Sequence, residues 1–256
     1  MKKPLILVVN DDGITSLGIR RLIAIMNDFG EVVVVAPDQP RSGMSHAITL
    51  NSSLSCESVI IDDGPQIEYS CSGTPVDCVK LAINKILDRK PDIVVSGINH
   101  GSNSSINVIY SGTMSAAVEG ALEGIPSIGF SLLDYSPNAN FDESEKFIRE
   151  IIVFTLKNSL PKGVCLNVNI PKSKDGEIIK GIRVCRQADG NWIEDFQENI
   201  DEKGELSYLM AGKFINYDEG KDTDEWALSN HFNSIVPVKF DVTSYESIIE
   251  LQKMQS

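Results

Sequence analysis

An uninterrupted apolar run that stops at two adjacent carboxylates, LILVVNDDG at residues 5–13, constrains this chain more than any other stretch. Leu5 to Val9 shows no polar alternation, so both of its faces must be covered, as in an inner parallel strand flanked by helices. The next segment reads as a helix: Ile19, Leu22, Ile23 and Met26 recur at helical spacing, Thr15 or Ser16 is placed to cap the start, and Gly30 to end it. Asp11 and Asp12 therefore fall in a β-to-α turn at a carboxyl strand end, where open α/β sheets bind ligands. Two neighbouring carboxylates repel each other and lose hydration when buried together, and a cation relieves that cost. Taken alone, the pair fits a solvated turn or a helix cap using one Asp just as well.

The 256 residues suffice for one full α/β domain, alone or with a smaller appendage. With 23 Lys+Arg against 36 Asp+Glu the formal charge is −13, which argues against a basic face for nucleic-acid polymers or anionic membranes. It does not argue against a small phosphate ester held by a metal. The opening apolar run is shorter than a signal-peptide core, and no segment reaches the roughly 18 apolar residues of a membrane helix. The five cysteines, Cys56, Cys71, Cys78, Cys165 and Cys185, show no CxxC and read as reduced, mostly packing thiols of a cytoplasmic protein.

Along the chain, Glu31 to Ala36 is a second buried strand, and DQPRSGMS at 38–45 is a polar loop at the same sheet edge as Asp11. A β excursion follows in AITL, SVIID and QIEYSC, separated by Asn51 to Ser53 and by Asp63-Gly64-Pro65. Thr74, Pro75 and Asp77 form a helix start with a capping box, and Val76, Val79, Ile83, Ile86 and Leu87 supply its buried stripe. Asp92 to Val95 is a third buried strand, opening into the glycine-containing segment at 96–113. In the helix after it, Met114, Ala117, Val118, Ala121, Leu122 and Ile125 share one buried face, which leaves Glu119 and Glu123 solvated. Ser111, Gly112 and Thr113 stand at that helix's N-terminus, a favourable anion site that ordinary capping also explains.

PSIGFS at 126–131 gives a fourth inner strand, a helix carries Phe147, Ile148, Ile151 and Ile152, and VCLNVNI at 164–170 alternates as a strand near the sheet edge does. Beyond Pro171 the composition turns acidic, so residues 1–171 read as the Rossmann-like domain. Residues 172–256 read as a smaller region of extended arms or hairpins with a short last helix, capped by Thr243 and Glu246. A helix that short does not persist alone and has to dock, preferably on another subunit.

Read together, NDDGITSLGI at 10–19, APDQPRSGMSHAITL at 36–50, GTPVDCVKLA at 73–82, SGINHGSN at 96–103 and YSGTMSAA at 110–117 closely resemble the SurE survival-protein family. The resemblance implies a Rossmann-like, mostly parallel α/β sheet with helices on both faces. It also implies a metal-dependent nucleotidase acting on nucleoside 5′- and 3′-monophosphates, extended here to short polyphosphates. One divalent cation per subunit, Mg²⁺, Mn²⁺ or Ca²⁺, would be held by Asp11, Asp12, Ser42 and Asn99, an all-oxygen set suited to a hard ion. Asn103, Ser111, Gly112 and Thr113 match the family's loop around the phosphate. Asp11 and Asp12 are the catalytic candidates, with Asp11 the one to accept a proton. A homodimer or homotetramer is implied by exchange of carboxyl-terminal elements. The tail, NHFNSIVPVKFD at 230–241, departs from the family's usual pattern. Two other readings stay open: an aspartyl-phosphate phosphatase, disfavoured by Gly13 in place of an Asp-x-Asp motif, and a nucleotide-sensing protein that binds without hydrolysis.

Overall fold

The computed structural model describes residues 3–136, 138–173, 178–201 and 203–255. The amino-terminal part runs β1 (Leu5–Val9), α1 (Leu17–Met26), β2 (Glu31–Pro37), β3 (Cys56–Val59), β4 (Ile67–Cys71) and α2 (Pro75–Leu81), which passes into a π-helical turn at Ala82–Ile86. Then follow β5 (Ile93–His100), a 3-10 turn (Ser105–Ile109), α3 (Gly112–Leu122), β6 (Ser127–Leu132), α4 (Asp142–Asn158) and β7 (Val164–Ile170). The remainder contributes β8 (Ile182–Val184), β9 (Gly190–Ile200), β10 (Leu206–Asn216), α5 (Asp224–Ser229), β11 (Asn233–Lys239) and α6 (Tyr245–Leu251).

The main sheet has the order β3-β4-β2-β1-β5-β6-β7-β11-β8. Its six central strands, from β4 to β7, are parallel. The chain first builds outward from β1 through β2, then crosses back to β5 on the other flank, so the strand order reverses at the carboxyl end of β1. Such a reversal opens the crevice in which α/β sheets bind ligands. Alternate residues of one strand feed opposite faces. Ile6 and Val8 join a core with α1 and α4, whereas Leu5, Leu7 and Val9 join one with α2 and Ala116 of α3. The expectation of a mostly parallel sheet covered on both faces is met.

Several local expectations are corrected. AITL at 47–50 is not a strand; Thr49 is held instead by Asp77. β5 runs on to His100 because β6 continues beside it, pairing Asn99 with Ser131 and His100 with Leu132 past a bulge. β7 lies inside the sheet, since β11 covers its other edge, and Asn167 and Asn169 are buried. Cys56 and Cys71 are not free thiols: they stand opposite each other in the antiparallel β3–β4 register and are joined as a disulfide, whereas Cys78, Cys165 and Cys185 are free and buried. Ser16 precedes α1 without capping it, its hydroxyl accepting from Asn10 Nδ2. Leu122 is exposed. α6 starts after Ser244, one position later than a Thr243–Glu246 box requires. The long β9–β10 hairpin matches the expected extended arm. No helix among the described residues is long and apolar enough to cross a membrane.

Two polar clusters fix the frame. Arg20 of α1 grips Glu68 of β4 with both terminal nitrogens, each at 2.7 Å, while its Nε donates to Asp62 at 2.6 Å. The Glu68 side chain is 1% exposed, so removing its cation strands a buried charge. Arg20→Met is expected to cost about 3–5 kcal/mol in urea unfolding, and the double variant Arg20→Met/Glu68→Leu to recover most of that loss. Asp77, in the capping box of α2, also receives the backbone and hydroxyl of Thr49. Burial raises its carboxyl pKa, but the bonds from Thr49 and Thr74 outweigh burial and hold it below the ordinary value of 3.8. A depressed acid stabilises the fold above its unfolded pKa and loses that contribution as pH falls. Unfolding titrations are therefore expected to show a shallower stability loss between about pH 5 and pH 3 for Asp77→Asn than for the parent chain.

Candidate active site

The reversal at β1 places Asp11 and Asp12 immediately beyond the strand tip. Asp11 is buried, and its Oδ1 accepts from Thr113 Oγ1 in the first turn of α3. Gly112 is required by this packing, because a Cβ there would stand 2.7 Å from Asp11 Cβ. The backbone carbonyl of Asp11 accepts from the Arg41 N–H at 2.7 Å, which draws the 38–45 loop to the same point. Burial, reinforced by the neighbouring Asp12 charge, raises the Asp11 carboxyl to about 6. Asp12 is only partly buried, and its Oδ2 lies 3.2 Å from the His100 backbone nitrogen and 3.4 Å from His100 Nδ1. The His100 ring is itself steadied edge-on against Phe141, with centroids 5.2 Å apart.

Asn99 arrives at this edge because β5 extends past its bulge, and bulges re-aim side chains. Its Nδ2 donates to the Gly101 carbonyl at 2.9 Å, which leaves the amide oxygen as the acceptor end. Gly18 of α1 lies close beneath, where a Cβ would meet the Ile98 carbonyl oxygen at 1.9 Å. Asp11 thus packs against Gly112 and Thr113, while Asp12 meets the backbone of His100, the residue after Asn99, at the same sheet edge. Ser42 is exposed, one residue beyond the Arg41 amide that bonds Asp11.

The remaining candidates are braced. Ser111 caps α3, its hydroxyl accepting from the Met114 N–H at 3.0 Å. Asn103 is buried in an amide chain: its N–H donates to Asn169 Oδ1 and its Nδ2 to Ser131 Oγ, while Asn167 Nδ2 donates to its carbonyl, each at 2.8 Å. Asn169 Nδ2 closes the chain on Asn167 Oδ1 at 2.9 Å. Sequence reasoning missed Asn167 and Asn169 as supports. The signal was present, since two amides at i and i+2 of a strand share a face and demand partners if that face is covered.

Glu119 was also missed. It is buried rather than solvated, between Lys80 of α2 and His46, whose Nε2 is 3.0 Å away. Those bonds outweigh the effect of burial and hold its carboxyl below the ordinary range. With Ser45 bonded to the carbonyls of Ile109 and Tyr110, they pin the loop that carries Ser42 onto α3.

Chemically, this sheet edge carries two adjacent carboxylates beside a helix N-terminus, and the amide of Asn99 at the end of β5. Among the described residues, no Lys or Arg forms an ion pair with Asp11, so nothing cationic offsets the burial and the Asp12 charge that raise its carboxyl. Oxygen donors of this kind suit a hard divalent cation, and the positive end of α3 suits an anion.

The sequence matches the family described as Survival protein SurE over residues 6–194. It is 62% identical over 251 residues to the 5′-nucleotidase SurE of Christiangramia forsetii, covering 98% of this chain and 96% of that protein. It is 47% identical over 255 residues to the 5′-nucleotidase SurE of Bacteroides fragilis, covering 99% of this chain and 98% of that one. The crystal structure of SurE protein from Aquifex aeolicus superposes with a TM-score of 0.84 at 38% identity, covering 99% of this chain and all of that one. The chain belongs to the SurE survival-protein family.

Proposed function

We propose that this chain is a divalent-metal-dependent nucleotidase, hydrolysing nucleoside 5′- and 3′-monophosphates, and short polyphosphates, to release phosphate. The observation that carries the reading is the adjacent Asp11 and Asp12 beyond the tip of β1, with Asp11 buried against the N-terminus of α3. The similarity to proteins named 5′-nucleotidase SurE supports the 5′ activity.

Asp11, Asp12, Asn99 and Ser42 would hold one cation per subunit, Mg²⁺, Mn²⁺ or Ca²⁺. When bound, it supplies the positive charge that polarises a phosphoryl oxygen and lowers the pKa of a water. Ser111, Gly112 and Thr113 would bring the phosphate to the positive end of α3. Asn103, fixed by Asn169, Asn167 and Ser131, lines its other side. Asp11, steadied by Thr113, accepts the proton of the attacking water. In-line displacement asks for little beyond this positioning and charge compensation.

A homodimer or homotetramer belongs to the same reading, in the cytoplasm. It is supported by the apolar side chains left exposed on the arm and tail, among them Phe196, Tyr208, Ile249 and Leu251, and by an α6 that buries none of its residues within the chain. An isolated helix of that length is not stable in water.

Phosphate release from a panel of nucleoside monophosphates and short polyphosphates, with and without Mg²⁺ or Mn²⁺, tests the reading; tight nucleotide binding with no release would sink it. Asp12→Ala and Asn99→Ala are expected to abolish Mn²⁺ binding in calorimetry and to lower turnover at least ~100-fold, with the far-ultraviolet dichroism unchanged. Full turnover of either variant under added Mg²⁺ or Mn²⁺ would overturn the ligand assignment. Asn169→Ala is expected to act through Asn103, raising KM about tenfold with a smaller change in kcat.

A further inference from the structure

At the sheet edge that carries Asp11, the outermost strand pair is closed covalently by the Cys56–Cys71 disulfide. We infer that this bond is a site of reversible thiol–disulfide exchange with a dithiol, and that its redox state sets how firmly the loop carrying Ser42 is held beside Asp11. The inference rests on the metal site proposed above and adds a control on it.

Position comes first. β4 runs parallel to β2 with Cys71 beside Pro37, so the disulfide closes the end of the β3–β4 ladder that is nearest the 38–45 loop. From there hydrogen bonds lead to Asp11. The Cys71 carbonyl accepts from the Asp38 N–H at 2.8 Å, and the Ser72 carbonyl from Arg41 Nη2 at 2.8 Å. The Arg41 N–H in turn donates to the Asp11 carbonyl at 2.7 Å, and Ser42 follows. On its other side Ser72 exchanges two bonds with Ser55: its N–H donates to the Ser55 carbonyl at 2.9 Å, and its hydroxyl accepts from the Ser55 N–H at 3.0 Å. Ser72 therefore stands between the loop and Ser55, and the disulfide joins the residues next to both. β3 is a four-residue edge strand with Glu57 and Ser58 exposed. It contributes little burial of its own, so its register depends on the cross-link.

Chemistry comes second. Cys56 is half-buried and Cys71 fully buried, so an incoming thiolate reaches Cys56 first. Its attack on Cys56 Sγ forms a mixed disulfide and releases Cys71 as a thiolate, which takes up a proton. The second thiol of the reagent then displaces Cys56. The protein gains two electrons and two protons, the dithiol loses both and leaves as its own disulfide, and the reverse steps re-form the cross-link. The other three cysteines do not compete. Cys78, Cys165 and Cys185 are free and buried, and burial pushes their thiols up, Cys165 to about 12, which leaves almost no thiolate to react. In the reducing cytoplasm disulfides are usually transient or redox-sensing, and a cross-link tied to the site loop suits that use.

The test compares the full chain oxidised with the full chain reduced by dithiothreitol, the reagent being removed before measurement. Alkylation and mass spectrometry are expected to show two thiols gained, on Cys56 and Cys71 alone. Tryptic cleavage of the Arg41–Ser42 bond reads the loop without any ligand, and is expected to quicken about fivefold or more on reduction, as Arg41 is released from Ser72. Mn²⁺ affinity in calorimetry is expected to fall by a similar factor. Cys56→Ser is expected to match the reduced form whether or not dithiothreitol was used. In Arg41→Met, which keeps the amide on Asp11 but has no donor for Ser72, Mn²⁺ affinity is expected to be the same in both redox states. A disulfide that resists dithiothreitol in the folded chain, an unchanged cleavage rate, or a measurable Mn²⁺ affinity that is the same in both states of the parent chain overturns the assignment. Faster cleavage on reduction with no Mn²⁺ bound in either state would support the exchange site and remove the metal-site reading. Equal cleavage with Mn²⁺ bound alike in both states would do the reverse.

Discussion

Everything at the carboxyl edge of this sheet is arranged around one buried carboxylate. Asp11 leaves the end of β1 with no cationic partner among the described residues, yet it is closed in by the first turn of α3 and by the loop after β2. Two separate stretches of chain close on it: the start of α3, with Thr113 on its side chain and Gly112 leaving room, and the loop after β2, with Arg41 on its carbonyl. Burying an acid is unfavourable unless charge or hydrogen bonds compensate. Two elements nevertheless close on it, although an alanine would have packed there at less cost.

The surrounding polar groups are satisfied in pairs that cross the sequence, which holds the edge rigid. Glu119 meets Lys80 and His46, Asp77 meets Thr49 and Thr74, and Asp224 accepts the amides of Ser105 and Ala188. His46, Thr49 and Ser105 are in this way tied to α3, α2 and α5. Sites held this way keep their geometry without ligand, because displacing one loop leaves a buried carboxylate unpaired and that penalty opposes the movement.

This logic also explains how far the sequence could be read. β1, β2, β6, α1, α2 and α4 announce themselves through apolar runs, helical spacing and the Thr74–Asp77 box, because each signal is local. The candidate site was legible for the same reason: Asp11, Asp12, Asn99, Gly112 and Thr113 sit at ends of elements whose direction is fixed. What escaped depends on neighbours distant in sequence. Glu119 falls off the apolar stripe of α3, and only the arrival of Lys80 and His46 makes it a buried residue. Asn167 and Asn169 imitate the solvent face of an edge strand until β11 covers that edge. Cys56 and Cys71 carry no spacing signature; their pairing follows from the β3–β4 register.

The β9–β10 hairpin is the least self-sufficient part of the chain. From Asn191 to Ile200 every residue of β9 is exposed, and β10 is little better covered. A two-stranded ribbon in water is marginal at best, so the arm borrows stability from its ends. The end that the chain itself supports is the one beside the site, where Trp192 bonds Asn107, Phe214 packs on Trp192, and Arg186 braces Asp218 with two nitrogens. Rigidity is therefore concentrated next to the turn that leads to Ser111, and it falls away along the arm. A ribbon built only to reach another subunit would not need its base fastened to the turn before α3. The fastening couples arm and site, so a surface that steadies the arm also steadies residues 105–110 and, through them, the start of α3.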